Sequence, residues 1–196
     1  MTDRKFDPSN RQKLNSEKRR AVLPPDQVIK DINVAPQSTW ADIGCGTGYF
    51  SIPLAEKVNQ VYALDIRSEM LDELRANIAQ LSLRNVAVLQ SQESSFPLPN
   101  GAADGALVAF VLHEVDEPQL FILEVARILK PGGKAIIIEW VKNVSTMGPP
   151  LEHRLAIDQV DAWAEAGNLV KTYTWQWSDN FVGLEYSKGL DTDSLR

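Results

Sequence analysis

The chain is poor in several residues whose chemistry usually dominates a functional reading. Of its 196 residues, one is cysteine (Cys45), two are histidine and three are methionine. A single cysteine excludes an internal disulfide, fits a reducing compartment and leaves no partner for thiol-relay chemistry. Without a Cys–His cluster there is no zinc-binding set, and no metal is expected. No apolar run reaches the ~20 residues that a membrane-spanning helix needs. The N-terminal "MTDRKFDPSNRQK" lacks the apolar centre of a signal peptide. A cytoplasmic protein with no membrane span is therefore the expectation. Positive charge is also scarce: 20 Lys and Arg stand against 26 Asp and Glu, a formal net charge of −6. A nucleic-acid backbone calls for a basic face, so nucleic acid is not an expected partner.

What is present is ordinary for a globular chain: 44% hydrophobic and 23% charged residues, with no internal repeat and no low-complexity tract. The length suits one domain, monomeric or homodimeric, with room for a two-sided α/β core. Residues 1–38 are polar and punctuated by "LPPDQ". A short helix is expected over Ser16–Val22, and a second from Pro25, whose fixed φ suits a first helical position. Val28, Ile29 and Ile32 give that second helix an apolar stripe. Too short to own a core, this segment reads as a helical lid.

From Thr39 the pattern alternates. "TWADIG", "QVYALD", "NVAVLQ", "DGALVAFV" and "KAIIIEWV" read as strands, the fourth apolar enough for burial on both faces. Helices are expected at Gly48–Val58, from a Ser68 cap with Met70, Leu71, Leu74, Ile78 and Leu81 inward, and over "DEPQLFILEVARILK" up to the "PGG" stop. A further helix falls within 153–167, and "LVKTYTW" and "FVGLEYS" flank a hairpin turn at "QWSDN". The pattern predicts an α/β, Rossmann-like three-layer sandwich. Its seven-stranded sheet is mostly parallel, with one antiparallel strand near the C-terminus. Residues 39–141 form its core, and 142–196 a loop, helix and closing hairpin.

In such sheets ligands bind at the carboxyl ends of the strands, so the turn after the first strand is the default site. There "ADIGCGTGYF" gathers Asp42, Gly44, Cys45, Gly46 and Gly48. A P-loop requires Lys followed by Ser or Thr, which is absent. The dinucleotide fingerprint requires glycine at position 49, which is Tyr49. The G-x-G-x-G spacing favours a ligand with a nucleoside but no diphosphate. Asp65 closes the second strand, where a carboxylate accepts from both ribose hydroxyls; nicotinamide enzymes use the same device, so Asp65 alone does not discriminate.

Four segments in order, "ADIGCGTGYFS", "VYALDIRSEML", "FPLPNGAADGALVAFVLHEV" and "ILKPGGKAIIIEW", resemble the motifs of class I S-adenosylmethionine-dependent methyltransferases. The resemblance covers roughly residues 39–141. It leans to the bacterial small-molecule branch that includes the ubiquinone and menaquinone C-methyltransferases. "FDPSNRQKLNSEKRRAVLPP" and "MGPPLEHRL" resemble an uncharacterised bacterial subgroup that carries no substrate assignment. The resemblance implies S-adenosylmethionine as cofactor and a small-molecule methyl acceptor. It implies that Asp42 and the Gly44–Gly46 backbone face the methionine moiety, and that Asp65 holds the ribose with Ile66 and Met70 near the adenine. Ala109 and Phe110 would line the methionine end. Where many relatives have "GDA" after the third strand, this chain has Ser91, Gln92 and Glu93; the Gln92 amide oxygen can still accept from the adenine amino group.

Methyl transfer needs alignment and a water-poor pocket, and a general base helps with a hydroxyl, amine or acidic carbon acceptor. His113, after the fourth strand, and Glu139, an expensive charge at the end of an apolar strand, are the catalytic candidates. Glu114 reads as support for the turn, His153 as a loop histidine, and Trp163, Trp175 and Trp177 as packing residues. One of Lys18–Arg20 reaches the cofactor carboxylate if the N-terminal helix closes over the pocket. Two competing readings are a nicotinamide-dependent oxidoreductase and a non-catalytic binder that keeps the same pocket.

Overall fold

A computed structural model describes residues 17–143 and 148–190. Ser16, Met147 and the first sixteen positions of the lid segment lie outside the described residues. The element order is α1 (Glu17–Val22), α2 (Pro25–Asp31), β1 (Thr39–Ile43), α3 (Ser51–Ala55), β2 (Gln60–Asp65), α4 (Ser68–Gln80), β3 (Val86–Gln90), β4 (Ala103–Ala109), α5 (Pro118–Ile128), β5 (Leu129–Trp140), α6 (Ile157–Ala166), β6 (Leu169–Gln176) and β7 (Phe181–Lys188).

The strands form one sheet in the order β3-β2-β1-β4-β5-β7-β6. Pairs β1–β2, β2–β3, β1–β4 and β4–β5 are parallel, and β7 runs antiparallel to both its neighbours. This is the expected mostly parallel sheet with a single reversed strand. Alternation along β1 sends Ala41 and Ile43 to one apolar layer and Trp40 to the other. The first layer packs α5 and α6 through Phe121, Ile122, Val125, Val160 and Ala164. The second packs α2, α3 and α4 through Val28, Ile29, Leu54, Leu71 and Leu74. Chain direction across the sheet reverses between β1 and β4, which opens a crevice at their carboxyl ends.

Four local expectations change. The helix expected over Gly48–Val58 shrinks to Ser51–Ala55, because Gly48 sits at φ +98°, outside helical space. Ser68 does not cap α4: Arg67 occupies the cap position in extended conformation, and no side chain caps the helix. Leu81, expected on the inner face of α4, is 55% exposed just past the helix end. The helix over "DEPQLFILEVARILK" ends at Ile128 rather than at "PGG". Leu129 is fully buried and pairs with Ala103, and Lys130, which precedes Pro131, is biased away from helical φ/ψ. The "PGG" stretch therefore lies inside β5, at an irregularity in its pairing with β4. By contrast, β6 and β7 form the expected closing hairpin.

Candidate functional site

The turn after β1 is built around one carbonyl and one carboxylate. The amides of Gly44 and Cys45 both donate to the Leu64 carbonyl, at 2.8 and 2.9 Å. The Gly46 amide donates to Asp65 Oδ2 at 2.9 Å, and the Arg67 amide to Asp65 Oδ1 at 2.9 Å. Gly44 and Gly46 have φ of +72° and +54°, which is what folds the turn back across the end of β2. Asp65 is thus held half-buried with each oxygen fixed by a backbone amide. A carboxylate oxygen accepts more than one hydrogen bond, so this arrangement is preorganised for two hydroxyl donors. Burial raises the Asp65 pKa, against the pull of those amides.

Asp42 lies beneath the same turn, on the side of the sheet that faces α3. It is 2% exposed and accepts from Ser51 Oγ at 2.5 Å. Burial pushes its pKa up to about 7; the Ser51 hydrogen bond opposes the shift and the neighbouring Asp65 charge adds to it. Cys45 is buried, and burial holds its thiol far above the ordinary range, so it is a packing residue of the turn and not a nucleophile.

On the β2–β3 side, Ile66 is partly exposed beside Asp65, while Met70 is buried in the first turn of α4. Gln92 is exposed and its amide donates to the Ser95 carbonyl. Glu93 turns elsewhere: its Oε1 accepts from the Asp116 amide at 2.9 Å, tying the loop after β3 to the loop after β4.

That second loop carries the other half of the site. Ala109 ends β4, and Phe110 follows at φ +61°, a left-handed conformation that a large side chain adopts only under constraint. Its amide donates to the Ile138 carbonyl at 2.8 Å, and its ring packs against Trp140 and Phe181 at centroid distances of 5.2 and 5.4 Å. His113 follows in a 3-10 turn over Leu112–Glu114. Nδ1 of His113 lies 2.9 Å from Glu139 Oε2, and the His113 amide donates to Glu139 Oε1 at 3.2 Å. Both side chains are buried, His113 7% and Glu139 3% exposed. Burial alone would lower the imidazole pKa, but the Glu139 carboxylate outweighs it and the net shift is upward.

Sequence reasoning selected His113 and Glu139 separately, and the fold brings them together. It missed Arg154. This arginine is 3% exposed; Nε donates to the Pro149 carbonyl at 3.0 Å and Nη1 to those of Val141 and Asn143 at 3.0 and 3.1 Å. Its guanidinium lies 5.7 Å from the Trp140 ring centroid. Gly148, at φ +86°, lies so flat on the indole that a Cβ there would fall 2.5 Å from Trp140 Cε3. The "GPPLEHR" stretch is therefore a clip that presses Trp140 towards Phe110. Nothing in its local pattern marks Arg154 as buried. His153 is partly exposed in the 3-10 turn of the clip. Trp163 packs on the α5–α6 layer, and Trp175 and Trp177 stack on each other at 5.5 Å, with Trp177 donating to Asp31.

The N-terminal helix reaches the same region. The Tyr49 hydroxyl donates to the Leu23 carbonyl at 2.7 Å, and the Arg19 guanidinium lies over the Tyr49 and Phe110 rings, 4.4 and 5.0 Å from their centroids. Burial lowers the Arg19 pKa to about 10, opposed by the attraction of Tyr49 and Asp42. Arg20 lies 5.4 Å from the Tyr49 ring, and the Lys18 side chain is outside the described residues.

A doubly wound sheet with a glycine turn after β1, a fixed carboxylate at the end of β2 and a crevice at the strand reversal defines a nucleoside-cofactor-binding α/β protein. Comparison with known proteins narrows the class. The family described as a methyltransferase domain matches residues 41–137. A demethylmenaquinone methyltransferase of Geobacillus sp. (strain WCH70) is 30% identical over 117 residues, 58% of this chain and 50% of that protein. An uncharacterized methyltransferase of Mycobacterium tuberculosis is 33% identical over 155 residues, 73% of this chain and 61% of that protein. The chain thus spans half to three-fifths of the curated relatives it matches. The structure of a SAM-dependent methyltransferase from Aquifex aeolicus superimposes with a TM-score of 0.88 at 31% identity, covering 93% of this chain and 99% of that one. The chain belongs to the S-adenosylmethionine-dependent methyltransferases, whose cofactor is S-adenosylmethionine.

Proposed function

We propose that the protein transfers a methyl group from S-adenosylmethionine to a small-molecule acceptor, with His113 as general base. One observation carries the reading: a preorganised Asp65 carboxylate and a buried His113–Glu139 pair stand on opposite sides of the same crevice. The turn fits the cofactor on its own chemistry, because its carboxylate has backbone donors already in place and still accepts from a diol. Asp65 holds the ribose, and Ile66, Met70 and Gln92 border the adenine, while Glu93, turned to the Asp116 amide, braces the loop beside them. Asp42 and the Gly44–Gly48 turn, Cys45 and Gly46 included, hold the amino-acid end, with Ala109 and Phe110 closing that side. Bound there, the cofactor supplies a methyl group already activated as a sulfonium.

The chain supplies the rest. Glu139 takes the hydrogen bond of Nδ1–H, which leaves the lone pair of the imidazole on Nε2. Nε2 removes the acceptor proton, and Glu139 stabilises the imidazolium that forms. Phe110 and Trp140 give the acceptor a dry wall on which to lie. The relatives named demethylmenaquinone methyltransferases put a demethylated quinol first among acceptors to assay, within a metabolite screen that spans carbon, oxygen and nitrogen nucleophiles.

Isothermal titration with S-adenosylmethionine, S-adenosylhomocysteine and NAD tests the cofactor assignment. The first two bind and NAD does not; NAD binding alone would overturn the reading. Asp65→Ala should lose about 1.5–3 kcal/mol of S-adenosylhomocysteine binding, the scale of hydrogen bonds to a charged group. Unchanged affinity would remove Asp65 from the ribose.

A further inference from the structure

The His113 imidazole has a carboxylate at each of its nitrogens. Glu139 takes Nδ1, and at the other nitrogen Glu114 Oε1 lies 3.7 Å from Nε2. That separation is too long for a hydrogen bond and short enough for a single third atom to bond both groups. Nε2 makes no hydrogen bond among the described residues, and no buried side-chain nitrogen or oxygen among them lacks a partner. Nε2 is therefore open to solvent, on the crevice side of the ring. The charged groups that act on the imidazole include Glu139 from β5, Glu114 from its own turn and Arg154 from the clip. Arg154 directs Nε and Nη1 to backbone carbonyls. Two hydrogen-bond acceptors, the lone pair of Nε2 and the Glu114 carboxylate, thus converge on one point.

Convergent acceptors sort nucleophiles by the hydrogens they carry. A hydroxyl has one and leaves one acceptor unmet, and a carbon acid is a poor donor to either. A primary amine has two N–H groups and keeps its lone pair for the methyl carbon. With the nitrogen about 2.9 Å from each acceptor, Nε2 and Oε1 subtend about 80° at it, so each N–H bends only about 15–20° from a straight line. The lone pair must be free, so the amine has to bind uncharged. An aryl amine is uncharged at neutral pH, whereas an alkyl amine is an ammonium ion. A planar ring also suits the wall of Phe110 and Trp140, whose centroids are 5.2 Å apart.

We propose that the methyl acceptor is a primary aryl amine, and that Glu114 is the specificity-determining residue that holds its second N–H beside His113. This rests on the reading of His113 as general base with S-adenosylmethionine as methyl donor. The nitrogen lone pair forms the new N–C bond, the electron pair of the broken S–C bond stays on sulfur, and one N–H proton passes to Nε2. Glu139 pairs with the imidazolium, Glu114 keeps the remaining N–H, and the imidazolium returns its proton to water once the product has left.

The test uses the full chain and three probes on one ring system: 1-aminonaphthalene, 1-naphthol and 1,4-naphthalenediol, which offer nitrogen, oxygen and quinol-type carbon nucleophiles. Release of S-adenosylhomocysteine and the mass of the product report the rate and the atom methylated. The amine should be N-methylated with a kcat/KM at least about tenfold above the other two, since a site with two acceptors discriminates against a group that leaves one unpaired. Glu114→Gln, which keeps the shape and removes the charge, should lower kcat/KM for the amine about tenfold more than for 1-naphthol, the difference between a charged and a neutral acceptor. Calorimetry on the S-adenosylhomocysteine complex should show the same selective weakening of 1-aminonaphthalene binding, and retained S-adenosylhomocysteine binding shows that the variant is folded. Glu114→Asp should recover part of the loss. Faster transfer to 1-naphthol or 1,4-naphthalenediol, no transfer to the amine, or an equal effect of Glu114→Gln on amine and naphthol would each refute the assignment. If the unaltered protein binds no S-adenosylhomocysteine, or His113→Gln leaves transfer to every probe unchanged, the underlying reading falls instead, a pattern distinct from a lost preference for the amine.

Discussion

Asp42, which the proposed reading places at the amino-acid end of the cofactor, is buried at the expense of its charge. Replacing it with asparagine keeps its shape and its ability to accept from Ser51 while removing the titration. In the folded chain its pKa is about 7, against 3.8 for the free group. Because the folded value is the higher, Asp42 favours folding fully below pH 3.8, and that contribution is lost as pH rises through about 7. Between those values the unfolded chain has released the proton and the native state has not. The stability of the unaltered protein should fall by about 1.36 kcal/mol per pH unit relative to Asp42→Asn. Across the whole interval this amounts to about 4 kcal/mol, or on the order of 10 °C in Tm for a domain of this size. Urea melts of both proteins from pH 4.5 to 8.5 measure it. The gap should widen in favour of the variant up to neutrality and then stay level. Binding should show the reverse: S-adenosylhomocysteine affinity of the unaltered protein should rise between pH 6 and 8, as Asp42 ionises, more steeply than that of the variant. A gap in stability that does not change with pH would refute the argument that Asp42 is buried at the expense of its charge.

Four further outcomes are expected. His113→Gln should lower the methyl-transfer rate about 10²–10⁴-fold, the usual worth of a general base, with S-adenosylhomocysteine affinity unchanged; an unaltered rate would remove His113 from the chemistry. Glu139→Gln should move the rising limb of the pH–rate profile to lower pH, because it removes the carboxylate that holds the imidazole pKa up. The same upward shift means that the His113 contribution to stability is complete below pH 6.5 and is lost as pH rises through the folded value. Melts of His113→Gln should therefore show its largest deficit in mild acid, and a deficit that grows with pH would contradict this. Gly148→Ala meets both a left-handed backbone and the Trp140 ring, so it should cost about 1–3 kcal/mol of stability and shift the tryptophan fluorescence; neutral behaviour in both would mean the clip is not held as described.

Much of this molecule was legible along the chain. The alternation of apolar runs located all seven strands, because strand and helix periodicities are properties of neighbouring residues. The glycine turn and Asp65 were equally readable, since a turn that folds back at positive φ favours glycine and a lone carboxylate stands out at the end of an apolar strand. Element ends were less so. The helix before "PGG" stopped two residues early because Leu129 had a β4 partner to pair with, and no local signal reports a partner.

The sequence by itself determined the architecture and the place of the crevice. Tertiary structure alone decided which distant segments meet around that crevice. Glu139 meets His113 because parallel crossovers bring the ends of β4 and β5 together. Arg154 is buried because the loop after β5 closes around it, Glu93 turns to Asp116, and Tyr49 meets Leu23 because α1 lies against the glycine turn. Each of these is a contact between segments distant in the chain, and local periodicity carries no record of which segments the packed sheet will make neighbours.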